Sequence, residues 1–266
     1  MSTLEDNAYS YLKITQVNRV ATVTLNRPPV NALSTEVIEE LAACLDKLAA
    51  DQDIKAIILT GEGKCFAAGA DIKQFTSAFG DARAGAQLAL SMQAKFRRIE
   101  TMTKPVICAI NGASLGGGLE LALSCHLRIA ADEAQLGLPE LNLGLIPGYG
   151  GTQRLTRLIG RAKATEMILF SQPINGQEAE RLGLVNKSVP REQLHQAAIE
   201  WAERIANDKS AASVAAALTA IAEGLDLTLD EGLNREAELF GALFETDSMR
   251  EGVTAFIEKR PAQFRD

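Results

Sequence analysis

Apolar positions along the first half of the chain switch repeatedly between the period of a strand and that of a helix. Residues 11–14 and 20–25 are short β-rich runs joined through Asn18-Arg19, a pattern that predicts a hairpin. Ser34 stands ahead of Val37, Leu41, Leu45 and Leu48, whose spacing draws one stripe along a helix that Ser34 can cap. An apolar strand over 54–59 follows and completes a β-α-β unit. A second helical pattern over 87–102 leads into 105–110, a near-continuous apolar run that fits a strand buried on both faces. A helix over 119–124 and a strand over 127–130 repeat the alternation, which predicts an α/β core with largely parallel strands. After about residue 190 strand signals stop. Leu194, Ala198, Trp201 and Ile205 draw one helical face, and Leu233, Ala237, Phe240 and Leu243 draw another. The chain therefore divides into an α/β core over 1–190 and a helical carboxyl-terminal region over 191–266. The apolar faces of that region have the core, or a second copy of the chain, to pack against.

Composition narrows the function. With 266 residues, 47% hydrophobic and 23% charged, the chain is an ordinary globular fold, without the signature of disorder or coiled coil. A net charge of −7 opposes binding to nucleic-acid phosphates or anionic lipid, so an anionic ligand has to be held locally. Cys44, Cys65, Cys108 and Cys125 form no Cys-x-x-Cys pair, which suits free thiols in a reducing compartment, the cytoplasm first. The two histidines, His126 and His195, show no metal-ligand spacing, and no metal site is expected. The opening MSTLEDNAYS lacks the apolar run of a signal peptide, and no stretch reaches the length of a membrane span. A mitochondrial matrix location stays open for a chain whose transit peptide has been removed.

Two glycine-bearing loops follow predicted strands: 66–72, Phe-Ala-Ala-Gly-Ala-Asp-Ile, and 111–120, Asn-Gly-Ala-Ser-Leu-Gly-Gly-Gly-Leu-Glu. Open α/β sheets bind ligands at the carboxyl ends of strands, and a glycine run ahead of a helix leaves N–H groups able to approach a bound oxygen. The same glycines also suit a tight turn or close strand–helix packing. Neither a phosphate loop nor a dinucleotide fingerprint is written in the chain. Gly112-Ala-Ser114-Leu-Gly116 matches a hydrolase nucleophile elbow, with His195 downstream as a possible base, although Ser114 could equally bond nearby backbone. Glu120 and Glu140 are the more informative side chains. Two carboxylates in apolar surroundings can divide into acid and base, because burial and mutual repulsion raise one pKa more than the other. Either could instead be an ordinary helix-end or loop glutamate.

Together these motifs, with the following Pro-Glu-x-x-x-Gly-x-Ile-Pro-Gly-x-Gly-Gly-Thr-Gln-Arg-Leu, resemble the enoyl-CoA hydratase/isomerase (crotonase) superfamily, and within it an enoyl-CoA hydratase most closely. The likeness overrides the elbow, whose pentapeptide falls inside the second motif. It implies a repeated β-β-α spiral core with a helical carboxyl-terminal oligomerisation region that makes homotrimers, usually paired into hexamers. It implies an acyl-CoA thioester as substrate, with no metal or redox cofactor, and a place in fatty acid β-oxidation. Carried over by motif, the N–H groups of Ala70 and Gly117 would form the oxyanion hole. Glu120 and Glu140 would be the catalytic pair, and the Gly148 backbone would help position water. Ala67, Ala68 and Ala70 would lie near the adenine, and Lys259 from a neighbouring subunit would approach the CoA phosphates with Phe256 nearby. Leu138 stands where many hydratases of the superfamily carry glutamine, which implies a more apolar acyl pocket. The alternatives are a Δ3-Δ2 enoyl-CoA isomerase, another acyl-CoA enzyme of the superfamily, and a non-catalytic RNA-binding member, which the acidic balance disfavours.

Overall fold

The computed structural model describes residues 9–266. The signal-peptide reading of the amino terminus rests mainly on residues 1–8, which lie outside the described residues. β1 (Leu12–Val17) pairs antiparallel with β2 (Val20–Leu25), with Val17 opposite Val20, so Asn18-Arg19 is the hairpin turn expected. Asn18 takes φ 53°, a conformation that Asn tolerates better than most side chains. α1 (Thr35–Ala50) starts at the expected cap, where Ser34 Oγ accepts from Val37 N–H at 3.4 Å. Its buried face holds Val37, Ile38, Leu41, Cys44, Leu45 and Leu48. β3 (Ala56–Gly61), β5 (Val106–Ile110), β7 (Leu127–Ala131) and β9 (Lys187–Val189) continue from β2 in parallel, making a six-stranded sheet. Ile57, Ile58, Leu59, Ile107 and Ile110 are fully buried, as continuous apolar runs require when both sheet faces are covered.

The strands that this sheet skips form another. β4 (Cys65–Ala68), β6 (Ala113–Leu115) and β8 (Leu136–Gly137) lie side by side in parallel, and the pattern of the chain reads all three as loop. They are two to four residues long and rich in Ala and Gly, too short to show a period. Three of the large sheet's strands are thus each followed by a short strand and then a helix. β3 and β4 lead to α2 (Ala82–Glu100), β5 and β6 to α3 (Gly117–Leu123), and β7 and β8 through a 3-10 turn to α4 (Gly151–Ile159). This succession is the repeated β-β-α spiral that the resemblance implies. α5 (Arg161–Phe170) and α6 (Gly176–Arg181) follow, in a stretch where the hydrophobic pattern predicts no element.

α7 (Arg191–Asp208) packs on β2, β3, β5, β7 and β9, burying Leu194, Ala197, Ala198, Ala202 and Ala206. The boundary expected at 190/191 falls ahead of this helix, whose packing ties it to the core. α8 (Ala211–Gly224), α9 (Leu229–Leu243) and α10 (Asp247–Ile257) complete the chain. α8 and α9 pack on each other, yet α9 buries none of its residues, and Leu233 and Phe240 on the predicted face are more than half exposed.

Candidate active site

The small sheet assembles the site. Ala68, Leu115 and Gly137 sit level across β4, β6 and β8, so the residues that follow, Ala70, Gly117 and Glu140, emerge together at the carboxyl ends of adjacent parallel strands. Residues 47 and 23 positions apart in the chain become neighbours because consecutive spiral turns stack in register.

Peptide geometry at this rim exposes two N–H groups. Leu33 brackets Ala70, its N–H donating to Gly69 O at 2.9 Å and its carbonyl accepting from Asp71 N–H at 3.0 Å. In such a parallel bridge the intervening residue's own N–H faces the other way. Ala70 N–H has no acceptor among the described residues and lies on the side of Gly117, where a Cβ would come within 3.4 Å of Ala70 N. Gly117 N–H is also unpaired among the described residues, because it opens α3 and has no carbonyl one turn behind. Gly116 turns the chain into the helix at φ 52° and ψ −127°, backbone that only glycine adopts readily. A Cβ on Gly118 would stand 1.9 Å from Ala67 O, so close strand–helix packing and exposed donors are both properties of the one glycine run.

Both carboxylates adjoin these donors. Glu120 is 1% exposed, and its Oε1 accepts from Tyr149 N–H at 2.8 Å and Gly151 N–H at 2.7 Å. Leu138 closes the same spot, since the position a Gly151 Cβ would occupy is 2.9 Å from Glu120 Oε1 and 3.0 Å from Leu138 Cδ1. Glu140 reaches back over the glycines, its Oε1 2.7 Å from where a Gly116 Cβ would be. Its Oε2 is buried without a hydrogen-bond partner among the described residues. Burial pushes the Glu120 carboxyl up to about 7, opposed by the Gly151 and Tyr149 N–H groups and reinforced by the charge of Glu140. Burial likewise raises Glu140 above the ordinary carboxylate range. A buried and a half-buried acid with unequal partners, beside unpaired N–H groups, can stabilise a developing oxyanion and move protons at the carbons next to it.

The profile of the enoyl-CoA hydratase/isomerase family matches residues 15–266. The chain belongs to that family. It is 47% identical over 249 residues to the probable enoyl-CoA hydratase of Bacillus subtilis, covering 92% of this chain and 95% of that one. It is 42% identical to the short-chain-enoyl-CoA hydratase of Clostridium acetobutylicum, over 91% of this chain and 92% of that one. The crystal structure of the enoyl-CoA hydratase from Bacillus anthracis superposes with a TM-score of 0.89 at 38% identity, covering 96% of this chain and 99% of that one.

Set in this family, the remaining predicted residues separate clearly. Gly148 lies in the loop behind Glu120, its carbonyl accepting from Gln93 Nε2 of α2 at 2.8 Å. Ala67 is fully buried with its carbonyl against Gly118, so of the three alanines expected near the adenine only Ala68 and Ala70 keep surface for a ligand. Phe256 and Lys259 stand at the far end of the chain, at the close of α10, with no hydrogen bond or ion pair to the site. Phe256 is 85% exposed. Ser114 is buried in β6 with an unpartnered hydroxyl, while His195 is exposed on α7, so the elbow has no base. No three His, Cys, Asp or Glu side chains converge among the described residues. The sequence reading missed Tyr149 and Arg154. Arg154 fixes the Glu120 loop by donating to Tyr149 O at 2.9 Å while paired with Glu100 at 3.2 Å. Their signal was the motif itself, in which Tyr149 occupies an unspecified position between glycines.

Proposed function

We propose that the chain is an enoyl-CoA hydratase, catalysing reversible syn addition of water to a trans-2-enoyl-CoA to give the 3-hydroxyacyl-CoA, a step of fatty acid β-oxidation. The observation that carries the reading is the placement of two glutamates, Glu120 buried and gripped, Glu140 half-buried with one sealed oxygen that has no partner among the described residues, beside the unpaired N–H groups of Ala70 and Gly117. Relatives at 42 to 47% identity named as hydratases support the reaction class.

Those two N–H groups hold the thioester carbonyl oxygen. As the water oxygen bonds to Cβ, the π electrons move toward the carbonyl, and donors already aimed at that oxygen bind the enolate more tightly than the ground state. Glu120, fixed by Tyr149 and Gly151, orients the water and takes its proton. Glu140 holds the water through its unpaired oxygen and delivers a proton to Cα. The Gly148 backbone helps to position that water. All of these groups belong to the chain, so the reaction needs no metal or redox cofactor.

The exposed apolar face of α9 supports assembly into a homotrimer, paired into a hexamer, in which Lys259 and Phe256 of a neighbouring copy approach the CoA together with Ala68 and Ala70 of this one. Light scattering that gave a monomer mass at micromolar concentration would remove this part of the reading. Free thiols at all four cysteines suit the cytoplasm, and no described helix is long and apolar enough to cross a membrane.

Crotonyl-CoA in H2(18)O separates hydratase from isomerase. Oxygen-18 in a 3-hydroxy product is expected. Migration of the double bond of a 3-enoyl-CoA, without any labelled product from crotonyl-CoA, would assign the isomerase reaction instead.

A further inference from the structure

Tyr149 is a large side chain at the rim to which the hydration chemistry assigns no role. Its ring carbons Cδ2 and Cε2 lie 3.2 Å from where a Gly117 Cβ would be, a point itself 3.4 Å from Ala70 N. Its own N–H donates to Glu120 Oε1 at 2.8 Å. The ring therefore stands between the donors that grip the carbonyl and the carboxylate that addresses Cβ, alongside the path of Cα and Cβ. It is also held firmly. Phe96, fully buried on α2, meets it edge-on at 6.0 Å between centroids, and its peptide is pinned at the N–H by Glu120 and at the carbonyl by Arg154. The residue is 8% exposed. Its hydroxyl makes no hydrogen bond among the described residues and is not one of the sealed polar atoms, so this edge of the ring keeps some exposed surface.

We propose that the Tyr149 ring sets acyl selectivity in this enzyme, admitting an unbranched enoyl group and excluding bulk on the reacting carbons. The inference rests on the hydratase reading above. A pinned aromatic wall cannot yield to an added methyl group, and one methyl or methylene in a pocket typically changes selectivity about 10- to 200-fold.

The test compares kcat/KM for crotonyl-CoA and 2-methylcrotonyl-CoA in wild type, Tyr149→Phe, Tyr149→Leu and Tyr149→Ala. Calorimetric titration with butanoyl-CoA and 2-methylbutanoyl-CoA runs in parallel. In Tyr149→Ala the ratio of branched to unbranched kcat/KM is expected to rise at least about 10-fold, with the ratio of affinities moving in the same direction. Tyr149→Leu shifts both ratios less, and Tyr149→Phe leaves them near wild type. Folding of each variant is checked by its melting curve, and the leucine variant carries the test should alanine unfold. Unchanged ratios in a folded alanine or leucine variant overturn the proposal. So does an equal shift in Tyr149→Phe, which would assign the selectivity to the hydroxyl. If wild type bound both esters without hydrating crotonyl-CoA, the hydratase reading would fail, and the affinity ratios would still judge the wall.

Discussion

The segments that carry the two glutamates solve opposite problems. Around Glu120, α3 and the loop 148–151 converge so that one carboxylate oxygen receives two peptide N–H groups, and Arg154 ties that loop to Glu100 on α2. Around Glu140, the 3-10 turn after β8 leaves one oxygen buried and unpaired over the glycine corner. A buried acceptor without a donor is costly until something supplies a proton or a hydrogen bond. The contrast teaches that the first carboxylate oxygen is satisfied by the chain's own peptides, whereas the second has no partner among the described residues and is suited to the proposed task of holding water.

The strongest way to break the contrast is to neutralise each acid. Glu120→Gln and Glu140→Gln are each expected to lower kcat by about 10² to 10⁴, with the affinity for a saturated acyl-CoA nearly unchanged. The double variant should cost far less than the product of the singles, because the pair acts on one water. Near-normal turnover in either single variant would remove its role. Next in size, Gly117→Pro deletes one proposed oxyanion donor and should lose about 10² to 10³ in kcat, or about 3 to 4 kcal/mol of transition-state stabilisation. A melting curve taken alongside shows whether the loop survives the ring.

The pH dependence sharpens the comparison further. With Glu120 as base, kcat/KM should rise with pH through about 7. Stability should run the other way. The folded carboxyl binds its proton more tightly than the unfolded one, so this group costs nothing below about pH 4.5. It then weakens the fold progressively until about pH 7. Glu120→Gln should therefore match wild type in unfolding free energy at pH 4 and exceed it at pH 8, by on the order of 3 kcal/mol. Urea unfolding at the two pH values measures this, and equal gaps at both would contradict the cause assigned. The smallest effect belongs to Gly118→Ala, whose added methyl would press on Ala67 O and should destabilise by about 1 to 3 kcal/mol.

Periodicity located the first hairpin, α1 with its Ser34 cap, and the buried strands of the large sheet, because long apolar runs and capped amphipathic helices announce themselves locally. The small sheet could not be read that way. Two-residue β8 holds Leu136 and Gly137 in place through β6, which comes from a different turn of the spiral, and through a bridge from Leu136 to Ile174. Glu120 and Glu140 were legible through motif spacing, but the grip of Tyr149 and Gly151 on Glu120 depends on a loop 29 and 31 residues away. Ala67 illustrates the converse: its motif suggested ligand contact, and the tight seat against Gly118 removed its surface. α9 displays the predicted apolar face, with Leu233 and Phe240 left more than half exposed among the described residues.

The oxygen grip proposed at Ala70 is a main-chain group, and that changes what substitution can do there. Every residue except proline brings the same amide, so a small side chain at position 70, which packs half-buried against the core, can change while the proposed electrostatic function persists. Replacement by serine or valine should leave the enolate almost as well held as before. Selection at this corner then acts on backbone shape, and the chemistry is inherited with the fold.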